Sequence, residues 1–267
     1  KYNKFYDKDD IFHFYNNFGF VVIKKFFNKK LIENVKKQIL NKIKYKIKNN
    51  FFYYEKINNK FKLRRIEKVS DFSINAKKII NSKKISEMLY KLKKKNLVLF
   101  KDKLNFKYAG GVGYLPHIDG HFIWKDKLNV SQQGWKKYSN NFINLLIPLD
   151  NANRKNGCLY LAKKEDTKKI GPNFNKIVKK MNADTYTIKN NYIKKLKFFP
   201  IELNSGDVCF FDWHCAHFSK KNNSKKSRMM FYATYCSKNK LKNIRKTYYS
   251  DKHDSKNSNK KKSLLYN

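Results

Sequence analysis

Apolar residues return along this chain at two different periods, and the change of period divides it. From 30 to about 46, Ile32, Val35, Ile39 and Ile43 recur at three- and four-residue spacing, the stripe of one face of an amphipathic helix. A second stripe containing Ile80, Met88, Leu89 and Leu92 predicts one helix over about 76–94. Ahead of these, Asp9 and Asp10 are placed to cap a short helix through Tyr15 and Phe18, and Phe20-Val21-Val22-Ile23 reads as a compact apolar strand. Beyond Leu97 the texture becomes short β-like runs between turn residues: 97–100, 104–107, 115–121, 142–149, 158–162, 207–212 and 229–235.

Many short strands after a helical preface predict a mainly β fold with flanking helices. The expected architecture is a double-stranded β-helix, a cupin-like jelly roll, preceded by N-terminal helices. The 267 residues suffice for a sizeable core and are read as a single domain. Its helical part covers about 1–95, its jelly-roll core about 96–237 and its tail 238–267. No internal repeat is visible. The Lys- and Asn-rich segment 163–205 is expected to include a surface excursion, and the polar stretch 251–267 to fray.

Composition changes this picture little. A hydrophobic share of 41% and an aromatic share of 16% describe a folded protein despite a mean hydropathy of −0.79. The formal charge of +42 would ordinarily suggest nucleic acid or an anionic membrane surface. Only five of the 62 basic residues are Arg, however, and Lys is spread through every segment alongside abundant Asn, Ile, Phe and Tyr, the residues of AT-rich codons. A nucleic-acid partner is therefore not expected, although the field favours anionic ligands. The four cysteines form no CxxC pair and suit a reducing cytoplasm. No apolar stretch approaches the roughly 20 residues that span a bilayer, and neither a signal peptide nor a transmembrane helix is visible.

The chemistry is concentrated in His117-Ile118-Asp119 and in two later histidines, His214 and His217. In a strand, residues i and i+2 share a face, so His117 and Asp119 would both project inward while Ile118 packs behind them. Two histidines and one carboxylate meeting on one face of an iron ion leave its other positions for a chelating co-substrate and O2. His121 would sit roughly 6–7 Å beyond Asp119 along the strand, which suits a pocket residue better than a ligand. Between His214 and His217, the second is favoured as third ligand. Arg228 follows it, and Asn222-Asn223-Ser224 supplies turn residues for a hairpin that would return the guanidinium to its side. The planar fork of Arg228 suits the far carboxylate of an iron-bound keto acid.

On these residues the chain resembles the phytanoyl-CoA dioxygenase family of Fe(II)/2-oxoglutarate oxygenases. Asn17 to Ile23 resembles the family's entry strand, and Ile66-Glu67-Lys68-Val69 a segment whose lysine contacts 2-oxoglutarate. Leu104-Asn105-Phe106-Lys107 with Gly110-Gly111 resembles the approach to the iron strand, and Asn156-Gly157-Cys158-Leu159 the turn into the next one. Gly206-Asp207 through His217-Phe218-Ser219 to Arg228 resembles the distal ligand with its serine and arginine. The resemblance implies Fe(II) held by His117, Asp119 and His217, which are also the catalytic residues, and 2-oxoglutarate and O2 as co-substrates. It also implies Arg228, Ser219, Lys68 and Lys107 as contacts of 2-oxoglutarate. Asp119 is present where related halogenases have a small residue, so hydroxylation is expected.

Two departures bear on the substrate. Lys163-Lys164-Glu165-Asp166 replaces a small-residue turn ending in Ser-His, which argues against a branched acyl-CoA, and Lys103 stands where other members carry an apolar or amide side chain. The stretches 100–117 and 156–162, and the tail Thr247-Tyr248-Tyr249-Ser250-Asp251-Lys252, look like bacterial members that hydroxylate 2-aminoethylphosphonate. The expected substrate is thus a small anion hydroxylated at the carbon next to phosphorus. His121 and Trp124 are its expected contacts, Trp135 and Tyr138 are further pocket candidates, and Lys163-Lys164 could supply positive charge. The alternatives are an oxygenase of acyl or other lipid-like chains, which needs an apolar tunnel, and a basic nucleic-acid-binding module with a non-catalytic jelly roll, which needs basic residues on one face among exposed aromatics.

Overall fold

The computed structural model describes residues 11–45, 47, 51–126, 128–170, 177–182, 185–238, 243–257 and 265–266. Its strands are β1 (Phe20–Ile23), β2 (Phe52–Ile57), β3 (Lys60–Glu67), β4 (Leu97–Lys107), β5 (Tyr114–His117), β6 (Ile123–Lys125), β7 (Ser131–Gln133), β8 (Phe142–Pro148), β9 (Leu159–Ala162), β10 (Val178–Asn182), β11 (Thr185–Ile188), β12 (Phe198–Ile201), β13 (Val208–Asp212), β14 (His217–Ser219), β15 (Arg228–Ser237) and β16 (Leu265–Tyr266). An eight-stranded sheet has the order β1-β13-β8-β15-β4-β3-β2-β16, and a four-stranded sheet the order β12-β9-β14-β5. Apolar side chains of both interdigitate in one cluster, Phe20, Leu146, Phe211 and Met230 meeting Leu159, Leu161 and Ile201. This is the two-sheet jelly roll, with helices on the outside.

Period-2 alternation gives the large sheet two buried faces. On β15, Met229, Phe231, Ala233 and Tyr235 pack outward against Ile32, Val35 and Ile39 of the helix Lys29–Lys42 and Ile85, Leu89 and Leu92 of the helix Lys83–Lys93. Each such fully buried side chain contributes about 1.5–3 kcal/mol. The intervening Arg228, Met230, Tyr232 and Thr234 face the smaller sheet, and β4 repeats the pattern, Leu104 and Phe106 facing the helices while Lys103, Asn105 and Lys107 face inward. The inner face of the large sheet is therefore apolar at one side and polar at the other, where the chemistry collects.

Several expectations require correction. The helix expected over 76–94 is two helices, Ile74–Ile80 and Lys83–Lys93. Asn81 ends the first, its side chain donating to the Lys77 carbonyl at 2.9 Å, and Ser82 stands at the N-cap position of the second. The preface also hides a hairpin, β2–β3, turned by Asn58 and Asn59, both at positive φ (48° and 62°), the two-residue Asn turn that matches strand twist. The segment 163–205 contributes β12 to the smaller sheet. The two runs expected over 97–100 and 104–107 form one unbroken strand, β4. At the end, a helix Ile244–Asn257 replaces the expected tail and places Tyr248 and Tyr249 in a third cluster with Phe100, Trp135, Tyr138, Phe142 and Trp213. Residues 258–264 and the proposed caps Asp9 and Asp10 lie outside the described residues.

Candidate metal centre

Strand β5 pairs antiparallel with β14, and His117 lies directly opposite His217. Their ring centroids are 4.2 Å apart. Contrary to the expected strand 115–121, β5 ends at His117, and Ile118 to His121 form a turn closed by His121 N–H donating to the Ile118 carbonyl at 3.1 Å, with Gly120 at φ 72°. The turn still sends Ile118 into an apolar cluster and Asp119 toward the histidines, its Oδ2 lying 3.9 Å from His217 Nε2. One donor atom from each of His117, Asp119 and His217 lies within 4.8 Å of the others. Close packing holds this arrangement from both sides. A Cβ on Gly113 would meet the Ser219 carbonyl oxygen at 1.9 Å, and one on Gly134 would meet the Gly120 carbonyl oxygen at 1.5 Å.

The surroundings prepare each donor. His117 Nδ1 is 2.7 Å from the Leu115 carbonyl and His217 Nδ1 2.9 Å from the Cys215 carbonyl, which fixes the protons there and leaves both Nε2 lone pairs for a metal. Burial, reinforced by His217, pushes His117 down to about 3, and burial also lowers His217, so both rings are neutral at physiological pH. Burial works to raise Asp119, but His217, Lys101, Lys103 and His117 outweigh it and hold the carboxyl well below its ordinary range. Two neutral imidazoles and a carboxylate are a donor set that fits Fe(II).

Asn144, which the sequence reading did not single out, donates from Nδ2 to Asp119 Oδ2 at 2.8 Å and accepts from the Thr234 hydroxyl at 2.7 Å. It orients the carboxylate from the sheet beneath. Partners of this kind typically contribute 10–100-fold to metal affinity, so Asn144→Ala should weaken Fe(II) binding by about that factor. A metal titration of the variant checks this.

Beside the triad lies a second polar cluster. Lys107 Nζ donates to Ser219 Oγ at 2.7 Å, to the Lys220 carbonyl at 2.7 Å and to the Gly157 carbonyl at 3.2 Å. Arg228, paired with Lys107 across β4 and β15, donates to the same Gly157 carbonyl and to that of Asn156 at 3.2 Å. Both cations are buried, and among the described residues neither has a carboxylate within ion-pair distance. Burial, with Arg228 and Arg64 alongside, pushes Lys107 down to about 6. Serine 219 stands two residues along β14 from His217, so this cation pair is roughly 6–7 Å along the strand from the triad. Arg228 does not reach the site through the expected hairpin. Strand β14 belongs to the smaller sheet and β15 to the larger, and the crossing segment is pinned by the buried Asn222, which donates to the Lys107 carbonyl at 3.0 Å.

The remaining predicted residues are dispersed. His214 bonds Asp212 at 2.8 Å, which places it in a separate network with Lys93 and Tyr15. His121 sits at the end of the turn, with Nδ1 3.3 Å from the Asp119 carbonyl, and burial pushes it down to about 4. Lys68 follows the end of β3, 3.3 Å from Asp71, its N–H donating to the Asp102 carbonyl at 3.0 Å, five residues of β4 from Lys107. Trp124 stacks on Tyr138 in the β6–β7 hairpin, and Trp135 and Tyr138 are core. Lys163 lies over Phe18 and Lys164 is 4.0 Å from Asp212, so neither joins the centre as expected.

A jelly roll that brings two histidines and one carboxylate together beside a buried cation pair has the build of a non-haem iron, keto-acid-dependent oxygenase. The phytanoyl-CoA dioxygenase family matches residues 15–230, and the chain belongs to that family. It is 30% identical over 195 residues to a 2-aminoethylphosphonate dioxygenase of the uncultured bacterium HF130_AEPn_1, covering 71% of this chain and 64% of that protein. It is 26% identical over 191 residues to a methylphosphonate hydroxylase of Gimesia maris, covering 70% and 64%. The match thus spans less than two thirds of either relative's length. Among solved structures, a non-haem α-ketoglutarate-dependent epimerase of nogalamycin biosynthesis, SnoN, shares the fold with a TM-score of 0.62 at 14% identity, covering 84% of this chain and 80% of its own. No helix among the described residues is long and apolar enough to cross a membrane.

Proposed function

We propose that this chain is an Fe(II)- and 2-oxoglutarate-dependent hydroxylase of a small anionic substrate, 2-aminoethylphosphonate or a close analogue, working in the cytoplasm. The observation that carries the proposal is the pairing of the triad with the uncompensated Lys107–Arg228 pair. Their spacing is one that a five-carbon keto diacid bridges, its keto-carboxylate end at the metal and its far carboxylate between the two cations. His117, Asp119 and His217 would hold the iron, which when bound supplies the oxidative chemistry: decarboxylation of 2-oxoglutarate to succinate and CO2, with one oxygen of O2 passing to a substrate C–H bond. The chain's own task is to orient the two organic molecules and exclude water. Arg228 supplies the bidentate fork, while Ser219 and Lys107 supply further donors.

For the substrate, support comes from the two phosphonate-active relatives and from the polar inner face beside the triad, where Lys101, Lys103, Asn105 and Glu67 stand in place of the apolar wall that a lipid chain requires. Anaerobic loading with Fe(II) and 2-oxoglutarate, followed by O2 and a substrate panel, is the test. Succinate release stimulated by 2-aminoethylphosphonate, with a product one oxygen heavier, is expected. Coupled turnover with phytanoyl-CoA and none with small phosphonates would overturn the substrate class.

Binding of 2-oxoglutarate should also be proton-linked. A carboxylate beside Lys107 favours its charged form, so above about pH 6 binding takes up a proton and the apparent affinity falls as pH rises. In the ligand-free protein the sign for stability is opposite. Between about 6 and the ordinary lysine value, the unfolded chain holds a proton the folded chain has released, so this residue's contribution to stability rises with pH there. Calorimetry in buffers of different ionisation enthalpy measures the uptake, which should vanish in Lys107→Met.

A further inference from the structure

We infer that Lys101 and Lys103, on the inner face of β4, form the seat for the substrate's anionic headgroup, separate from the Lys107–Arg228 seat. The inference deepens the oxygenase reading above and rests on it. The register supplies the first argument. Across the large sheet, Lys101 lies in the row of Thr234 and Asn144, the latter bonded to Asp119, and Lys103 lies in the next row, beside Tyr232 and Leu146. Lys107 stands in the row of Arg228, roughly 13 Å along β4 from Lys103. Both Lys101 and Lys103 are close enough to Asp119 and His217 to act on them electrostatically. The two lysines therefore flank the triad's end of the strand, while the other cation pair takes the far end.

The second argument is charge balance. Lys101 is 9% exposed, yet among the described residues neither its ammonium nor that of Lys103 has a hydrogen bond or an ion pair. Lys101 instead lies 3.8 Å from the centre of the Trp135 ring, and Lys103 5.2 Å from that of Tyr232. The nearby carboxylates have other duties. Glu67 is held by Lys252 at 2.6 Å and Arg65 at 3.4 Å, and Asp119 faces the metal position. Placing an amino group in the interior with neither an ion pair nor a hydrogen bond is costly, and the buried Lys101 beside the half-buried Lys103 on one face is explained by an anion that arrives from outside. Two adjacent ammoniums suit a headgroup carrying up to two negative charges on three oxygens, such as a phosphonate.

The third argument is Asn105, on the same face between Lys103 and Lys107. It is 7% exposed, and its Oδ1 is buried without a hydrogen-bond partner in the described structure. An acceptor left open beside two cations matches a molecule that brings an N–H or O–H donor together with its anionic group.

The test uses protein loaded with Fe(II) and 2-oxoglutarate without O2, titrated calorimetrically with 2-aminoethylphosphonate, methylphosphonate, 2-aminoethanesulfonate and β-alanine. Lys101→Met and Lys103→Met should each weaken phosphonate binding about 30-fold or more, and the double variant should abolish it. Affinity for 2-oxoglutarate should stay within about twofold, and the melting temperature of the ligand-free variants should be equal or higher, because a desolvated amino group without a hydrogen-bond partner has been removed. Lys101→Arg should recover part of the binding. Undiminished phosphonate affinity in the double variant overturns the seat. So does a fall in melting temperature accompanied by loss of 2-oxoglutarate binding, which marks the lysines as structural, or failure of the unsubstituted protein to bind any of the four anions. If the sulfonate or the carboxylate binds in a Lys101- and Lys103-dependent way and the phosphonates do not, the seat stands and the phosphonate assignment falls.

Discussion

Asp119→Ala and His217→Ala, loaded anaerobically with Fe(II), are each expected to lose iron-dependent turnover to background, whereas His214→Ala should still bind iron in stoichiometric amount. The difference follows from the networks in which the residues stand. Asp119 and His217 approach to 3.9 Å with Nδ1 of the histidine already committed to a carbonyl, so no neighbouring group replaces either donor. His214 is bonded to Asp212, a carboxylate that also holds Lys93 and accepts from Tyr15, so its removal disturbs that buried network and leaves the metal position intact. Iron stoichiometry measured beside turnover separates the two cases. Loss of iron in His214→Ala with normal turnover in His217→Ala would reverse the assignment.

Arg228→Ala should be the most damaging single change outside the triad. Truncating one member of a desolvated, charge-assisted pair commonly costs about 2–5 kcal/mol, which corresponds to a fall in 2-oxoglutarate affinity of about 30-fold to a few thousandfold. Iron affinity should scarcely move, because Arg228 reaches the carbonyls of Asn156 and Gly157 and none of the three metal donors. Arg228→Lys keeps the charge and loses the fork, so it should fall between the two. An alanine variant with unaltered dependence on 2-oxoglutarate would place the far carboxylate elsewhere.

The residues that meet at the centre were legible because each sits beside a strong local signal: His117 and Asp119 around one apolar residue, and His217 and Arg228 on either side of an Asn-rich crossing. Other features depend on pairing across the sheets, which one chain's periodicity does not reveal. Asn144 lies inside the apolar run of β8, and its polar side chain there was the one available cue. Lys101 was hidden by a composition so rich in lysine that one more, alternating with apolar residues on a strand, carries no contrast, and Lys103 and Lys107 stood out only through the family resemblance. The β2–β3 hairpin was masked by charged residues, although Asn58-Asn59 between two runs of Tyr, Phe and Ile was a readable turn. The path of Arg228 was misread because sequence proximity to His217 suggests a hairpin, whereas a jelly roll sends consecutive strands to opposite sheets.

The helix Ile244–Asn257 closes one wall of the centre with contacts of very long sequence range: Lys252 to Glu67 across 185 residues and Arg245 to Asp71 across 174. Contacts of such separation are rewarded only after the intervening chain has been ordered, and the helix is expected to open as one unit under native conditions. Its departure would release Glu67 from Lys252 and uncover Trp135, Tyr248 and the Lys101 ammonium together. The lifetime of the closed wall is thus the residence time of this helix on the sheet, and amide exchange along 244–252 is the natural clock for that opening.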